Sequence, residues 1–593
     1  MPRSSPTSAP SRETVQSSRR GKPRDERRQF DALRAMIAQQ RYSDAVAMAR
    51  SFTEAFPRNG AGWKTLGALL WWSGNHAEAL LPMQHSARLL PGDAETHSNL
   101  GMALLHAKRT DEAVKSFQRA IRLDGAFAAA HYHLGMARFR QDRYAEAQAS
   151  LLTSVSLKPE YLWAEVEPCH SILLFLYSHD ASIDADTLYA EHRRFGREIE
   201  NRLTVAHPSH SHLEDPQRRL RIGFVSGDLR NHAVASFLEP VLERLSKYAG
   251  VELHAYYNET VEDEVTVRLR AHFKGWNSVP LLADPALADL IMSHRIDILI
   301  DLSGPSGLNR LQALARKPAP IQVSWIGYPG TTGLNAMDYC LADRHWLPPG
   351  QFDRHFVEKL VYLPATGIFR PEPTAPQVVA LPALATGHVT FGSFNRLGKI
   401  NAATVRLWSK LLQALPASKL IIAGIPLDDQ HIKLSQRFDA EGVDRARLTF
   451  HARGGIDAYL ALHHQVDLCL DTFPYNGGTT THHALWMGVP TLTMAGTTPA
   501  GRQGACILGL AGLDEFIARD ADDFVSRGLN WAARLDTLAE LRAGLRERCR
   551  QSPSQRPDIL VAALERALRR MWTRWCANLP AESFEIPAAE FVS

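Results

Sequence analysis

Cysteine is scarce in this 593-residue chain: the six residues Cys169, Cys340, Cys469, Cys506, Cys549 and Cys576 stand far apart, with no CxxC or other compact ligand spacing. That excludes a disulfide scaffold and a structural zinc site and fits a reducing compartment. Long apolar runs are also missing, so no integral membrane association is expected. A basic start without a following apolar core is not a signal peptide, and a cytoplasmic protein is expected. Nor is there an excess of one charge. The 67 Lys and Arg nearly balance 63 Asp and Glu, and the resulting +4 is too small at this length to indicate a nucleic-acid partner.

What remains is a soluble globular composition, 45% hydrophobic and 22% charged, in a chain long enough for roughly three to five structural units. Residues 1–28 hold eight Lys or Arg and three Asp or Glu among many Ser and Pro. They read as a disordered basic tail.

A period of 34 residues follows when Trp63, His97 and His131 are placed in register. Leu66, Leu100 and Leu134 precede Gly67, Gly101 and Gly135, and Ala79, Ala113 and Ala147 recur twelve positions after the glycines. Small residues at a fixed phase permit close helix approach, while the Leu and aromatic positions form an apolar stripe. The register reaches back to Ala45, and Pro57 lies one period before Pro91, giving four helix pairs over residues 29–160. These positions resemble the tetratricopeptide repeat. Such an arm offers a concave surface for extended peptides of protein acceptors, or for self-association into a homo-oligomer. Asp44, Glu78, Glu112 and Glu146 share one register position and read as solvated helix charges.

Residues 161–218 read as a helical extension ending in a linker, HPSHSHLEDPQ, whose His207, His210 and His212 lack further compact ligands; no metal is expected there or elsewhere. Strand, loop and helix signals then alternate. IGFVSGDLRNHA, IDILIDLSG and IQVSWIGYPG fall in a first α/β lobe over 219–370; a proline-rich linker spans 371–383; a second lobe covers 384–575, and residues 576–593 form a tail. Two such lobes face each other across a ligand cleft.

The chemistry concentrates in NRLGK at 395–399, Asp471, and NGGTTTHH at 476–483. Gly477 and Gly478 allow close backbone approach, and Thr479, Thr480 and Thr481 bring hydroxyls and helix-start amides suited to phosphate oxygens. The loop is neither a P-loop nor the usual nicotinamide fingerprint. Lys399 supplies opposing charge for a departing diphosphate; on its own it would read as a surface ion pair. Asp471 and Asn476 either accept sugar hydroxyls or cap the turn, and the threonines either meet phosphate or cap the following helix.

IGFVSGDLRNHA at 222–233, IQVSWIGYPGTTGLNAMDY at 321–339, FGSFNRLGK at 391–399 and DLCLDTFPYNGGTTTHHALWMGVPTLTM at 467–494, behind the repeats, resemble the bacterial protein O-GlcNAc transferases of glycosyltransferase family 41, related to the SPINDLY group. The resemblance implies an α-helical repeat superhelix followed by a GT-B fold of two Rossmann-like lobes. It also implies UDP-GlcNAc as donor, inverting transfer to Ser or Thr of proteins, and no cofactor or essential metal. In that carry-over His232 is the traditional base candidate, or else holds acceptor or donor sugar. Lys399 and Asn395 belong to the donor loop, and Arg396 stands where some members have Gln. Thr479 and Thr480 match phosphate-contacting positions. Gly478 departs from the His of animal members and His483 from their Asp near the ribose, which leaves an O-fucosyltransferase using GDP-fucose as the alternative donor reading. A catalytically weak peptide-binding scaffold is the alternative of a different class. Gly327, Pro329, Gly330 and Thr331 become an acceptor-side turn, or terminate a strand. Asp228 orders the His232 loop or caps its helix; Arg502 meets nucleotide phosphate or bridges the lobes.

Overall fold

The computed structural model describes residues 23–158, 169–203, 208, 210, 215–427 and 429–588, in two compact units divided at residues 161 and 162.

The first unit is eight helices in four pairs, from Pro23–Ala38 to Tyr144–Leu157. Ala79, Ala113 and Ala147 are fully buried. The recurrent glycines sit where the two helices of a pair touch: a Cβ on Gly67, Gly101 or Gly135 would come within 2.7 Å of Met83, 2.5 Å of Phe117 or 2.7 Å of Leu151. The period is therefore a contact repeated pair after pair. Asp44, Glu112 and Glu146 each pair with the arginine three residues earlier, and Glu78 with Arg50, all on the surface. The basic tail expected over residues 1–28 overlaps the first helix. Residues 23–28 already form the first turns of the helix Pro23–Ala38, and residues 1–22 lie outside the described residues.

The second unit holds two parallel sheets. In the first lobe β1 (Leu220–Ser226), β2 (Val251–Tyr257), β3 (Gly275–Ser278), β4 (Ile298–Asp301), β5 (Ile321–Ser324), β6 (Tyr339–Ala342) and β7 (Lys359–Tyr362) run in the order β7-β6-β5-β4-β1-β2-β3. The second lobe repeats the scheme with β8 (Thr390–Ser393), β9 (Lys419–Ala423), β10 (Leu448–His451), β11 (Leu468–Leu470), β12 (Thr491–Met494) and β13 (Ile517–Ala518), ordered β10-β9-β8-β11-β12-β13. Strands such as β4 (ILID) and β11 (LCL) are buried at every position, as sheets covered on both faces require. Strand order reverses between β1 and β4 and between β8 and β11, and the crevices at those switch points are where such sheets bind ligands.

Three boundaries differ from the sequence reading. The helix Pro557–Cys576, expected in the second lobe, buries Leu560, Leu564, Leu568, Met571 and Trp572 in the core of the first. The expected tail forms β14 (Phe584–Glu585), which pairs with β7. The apolar face of Pro557–Cys576 fits a sheet-covering helix of either lobe, and only the tertiary fold selects one. The extension helices Cys169–Tyr177 and Ala185–Asn201 also belong to the first lobe: Leu174, Phe195 and Ile199 share a core with Val225, Leu299 and Leu334. The expected linker is partly built into the second lobe, with Leu381 and Ala383 in its core and Arg542 donating to the Val379 carbonyl at 2.8 Å.

Candidate active site

The sequence motifs come together at the strand ends flanking the two switch points. In the second lobe, β8 leads through Asn395 and Arg396 into a short turn ending at Lys399, after which Asn401 caps the helix Ala402–Ala414. The Asn401 side chain also donates to the Phe473 carbonyl at 2.7 Å, tying this loop to the one after β11. There Asp471 is buried and fully used. One oxygen accepts the Thr472 and Gly477 amides at 2.9 and 2.7 Å, and the other the Thr493 hydroxyl at 2.6 Å. Burial nonetheless pushes its carboxyl up to about 6. Asn476 is equally enclosed: its side chain donates to the Thr472 carbonyl at 2.8 Å and accepts the Gly504 amide at 3.3 Å. In this structure both residues brace the turn from beneath.

The upper surface of the turn is different. Lys399 Nζ donates to the Asn476 carbonyl at 2.7 Å and lies 4.4 Å from the centre of the Tyr475 ring. The Thr480 hydroxyl donates to Asn395 Oδ1 at 3.1 Å, linking the two sides of the switch point. A Cβ on Gly477 would fall 2.5 Å from Thr480 Oγ1, so glycine is needed for this approach. Gly478 precedes the helix Thr479–Trp486, whose leading amides lie ahead of its intrahelical hydrogen bonds. Thr481 is turned away from that edge, donating to the Gly477 carbonyl at 3.0 Å. His483 Nδ1 lies 3.3 Å from the Tyr459 hydroxyl, and burial holds the imidazole neutral, with its pKa lowered to about 4.

In the first lobe, the loop after β1 carries Asp228 and His232. His232 Nδ1 faces both Asp228 Oδ1 at 3.5 Å and the Val234 amide at 3.4 Å. Burial lowers its pKa below the ordinary histidine value; Asp228 opposes that shift, and Arg230 and Arg396 reinforce it. The Phe237 ring, in the helix that follows His232, lies 5.6 Å from the His482 ring of the second lobe, which brings the two motifs near one another. The turn after β5 is packed too closely for side chains at its start: a Cβ on Gly327 would meet the Leu302 carbonyl oxygen at 1.8 Å. Pro329 is half-buried and Gly330 buried. Thr331 points inward, its hydroxyl donating to Glu358 at 2.6 Å.

Arg502 stands apart from this group. Its Nε donates to the Trp346 carbonyl at 2.7 Å, and Trp346 Nε1 donates to the Pro499 carbonyl at 2.8 Å. It bridges the lobes through backbone, where the sequence reading weighed phosphate against an interlobe ion pair. Two neighbours of the lysine went unnoticed in the sequence. Tyr475 sits inside the motif, and His179, in the extension, stacks on it at 4.1 Å. Neither has a local signature. Among the described residues, no group of three or more His, Cys, Asp or Glu is arranged to hold a metal ion.

Two doubly wound lobes whose switch-point loops face each other define the GT-B class of glycosyltransferase folds. The sequence profile of Glycosyl transferase family 41 matches residues 157–370 and 374–557, and tetratricopeptide repeat profiles match 30–94, 94–127 and 128–161. The chain belongs to glycosyltransferase family 41. A mutant of the Thermobaculum terrenum O-GlcNAc transferase superposes with a TM-score of 0.77 at 32% identity, covering 93% of this chain and 99% of that one. The probable UDP-N-acetylglucosamine–peptide N-acetylglucosaminyltransferase SPINDLY of Petunia hybrida is 36% identical over 66% of this chain and 42% of its own length. The UDP-N-acetylglucosamine–peptide N-acetylglucosaminyltransferase of Caenorhabditis elegans is 24% identical over 70% of this chain and 46% of its own. The chain thus spans less than half the length of these curated relatives.

Proposed function

We propose that the protein transfers GlcNAc from UDP-GlcNAc to Ser or Thr hydroxyls of proteins, with inversion and without a metal. The carrying observation is the convergence of Lys399, the 476–481 turn and the start of the helix Thr479–Trp486 at the second switch point. As the acceptor oxygen bonds to the sugar's anomeric carbon, the bond to the diphosphate breaks and its electron pair leaves on the phosphate oxygen. Lys399, the amides of Thr479 and Thr480 and the Thr479 hydroxyl are suited to hold that charge without reorganising. Asp471, Asn476, Gly477, Gly478 and Thr481 keep the turn in shape, and Asn395 fixes Thr480. We assign Arg396 and His483 to the donor's flank, Arg502 to holding the lobes together, and the 327–331 turn to the acceptor side.

His232 takes the acceptor proton in this reading. For its Nε2 to accept, Nδ1 must carry the hydrogen and turn it toward Asp228 rather than accept from Val234; Asp228 is therefore the tautomer-setting partner. The repeat arm presents a depression of about 740 Å³ lined by Arg34, Lys64, Trp71, Trp72 and Asn99 among others, which we assign to acceptor proteins; the same arm is a surface for self-association. The free cysteines suit a cytoplasmic setting, and no helix among the described residues is long and apolar enough to cross a membrane. A neutral His483 on the nucleotide side, with SPINDLY-named relatives, keeps GDP-fucose as the second donor to test.

A donor panel with peptide libraries and intact-mass readout tests this. GlcNAc-modified peptide is expected with UDP-GlcNAc, and K399A should lower turnover by about 10²–10³. Product only from GDP-fucose would change the donor. No glycosyl product from any donor that binds would leave the scaffold reading.

A further inference from the structure

Lys399 reaches the donor turn through two neighbours, the Asn476 carbonyl and the Tyr475 ring. Tyr475 is itself held from outside its lobe. The His179 imidazole, 6% exposed, stacks on it with ring centres 4.1 Å apart and planes 16° from parallel, and Phe175 touches the same ring at 5.8 Å. His179 Nδ1 lies 2.8 Å from the Phe175 carbonyl, which fixes the ring at the end of the helix Cys169–Tyr177. The extension carrying it is clamped to the first lobe's turn after β5. His192 Nε2 meets the Tyr328 hydroxyl at 2.9 Å and Arg193 donates to the Gly333 carbonyl at 2.6 Å. Glu200 accepts the Asn335 amide at 2.6 Å. A Cβ on Gly196 would fall 2.0 Å from the Gly333 carbonyl oxygen, so the helix lies directly on that backbone.

We propose that His179 is a positioning residue for Lys399: stacked on Tyr475 and anchored with the 327–333 turn, it fixes where the lysine ammonium stands relative to the opposite lobe. The inference rests on the diphosphate role given to Lys399 above. The required chemistry is a flat, uncharged ring. Burial, with Lys399 and Arg396 nearby, lowers the His179 pKa to about 3, so the imidazole adds no repulsion beside the ammonium. A shift of about 1 Å in a charge-stabilising group is enough to cost up to about a hundredfold in rate, which gives a buried stack remote from the reacting atoms its leverage.

The test uses H179A and H179F in the full chain, each with Lys399 and with K399A. Binding of UDP and GDP is measured by calorimetry and transfer by kcat and KM. H179A is expected to lower kcat about tenfold or more, leave the peptide KM within about twofold, and weaken binding of whichever nucleoside diphosphate the protein holds. H179F keeps the flat ring and should recover most of both losses. In the K399A background the H179A effect should vanish, because the two residues act through one another. Equal H179A effects in both backgrounds, or H179F as impaired as H179A, would reduce His179 to core packing and overturn the proposal. If no variant transfers sugar, the proposed reaction falls, but nucleoside diphosphate binding still decides the role of His179.

Discussion

Asp471 shows how burial and hydrogen bonding pull one carboxylate in opposite directions. Three donors favour its charged form, yet desolvation prevails and holds its pKa near 6, above the ordinary 3.8. Its contribution to stability is therefore full below about pH 4 and is lost as pH rises through 6. D471N does not titrate, so its unfolding free energy relative to wild type should move in its favour by up to about 3 kcal/mol between pH 4 and 7. Denaturant titrations at both pH values measure this; a pH-independent difference would show that Asp471 ionises normally. His232 has the opposite sign of shift, its pKa lying below 6.5. If it takes the acceptor proton, kcat/KM should stay level down through pH 6.5 and decline only below it, and H232A should lose that decline together with most of the rate. An acid limb at or above pH 6.5 would contradict the desolvated environment. Neither Asp471's inward orientation nor the diversion of Arg502 to backbone carbonyls could be read from sequence, because residue type and loop position do not specify which way a side chain points.

At the scale of elements, the repeat glycines are contacts between helices rather than breaks in them. G101A would drive a methyl to 2.5 Å from the Phe117 ring, and overpacking of this kind costs about 1–3 kcal/mol. Gly544 is a useful opposite. It lies exposed inside the helix Leu535–Gln551, with open space where an added methyl would stand, so G544A should gain about 0.5–1 kcal/mol from helix propensity alone. Thermal unfolding of the two variants should move in opposite directions; matching shifts would remove the packing explanation for the period. The 34-residue spacing was legible because each pair makes the same short-range contact, and the loops at 395–399 and 476–483 were legible because polar and glycine residues follow apolar strands. The extension's attachment was not legible, since Gly196 and Gly333 are far apart in sequence and meet only in the tertiary fold.

For the molecule as a whole, the last helix makes the first lobe depend on the chain's far end. Trp572 is fully buried there, its Nε1 donates to the Asp215 carbonyl at 3.0 Å, and Arg569 donates to the Pro216 and Arg218 carbonyls at 2.8 Å. W572A should cost about 3–5 kcal/mol. Hydrogen exchange should show the lost protection in β1 and β2, while β8 and β9 keep theirs; loss centred on the second lobe would contradict the placement.

The sequence by itself determined the repeat arm, the alternation of strands and helices, and the polar loops at 395–399 and 476–483, because periodicity and turn composition are local properties of the chain. Only the tertiary structure decided which lobe receives the helix Pro557–Cys576 and that His179 stands against Tyr475. Those outcomes depend on surfaces hundreds of residues apart, whose fit is fixed by close packing and by the need to pair every buried polar group.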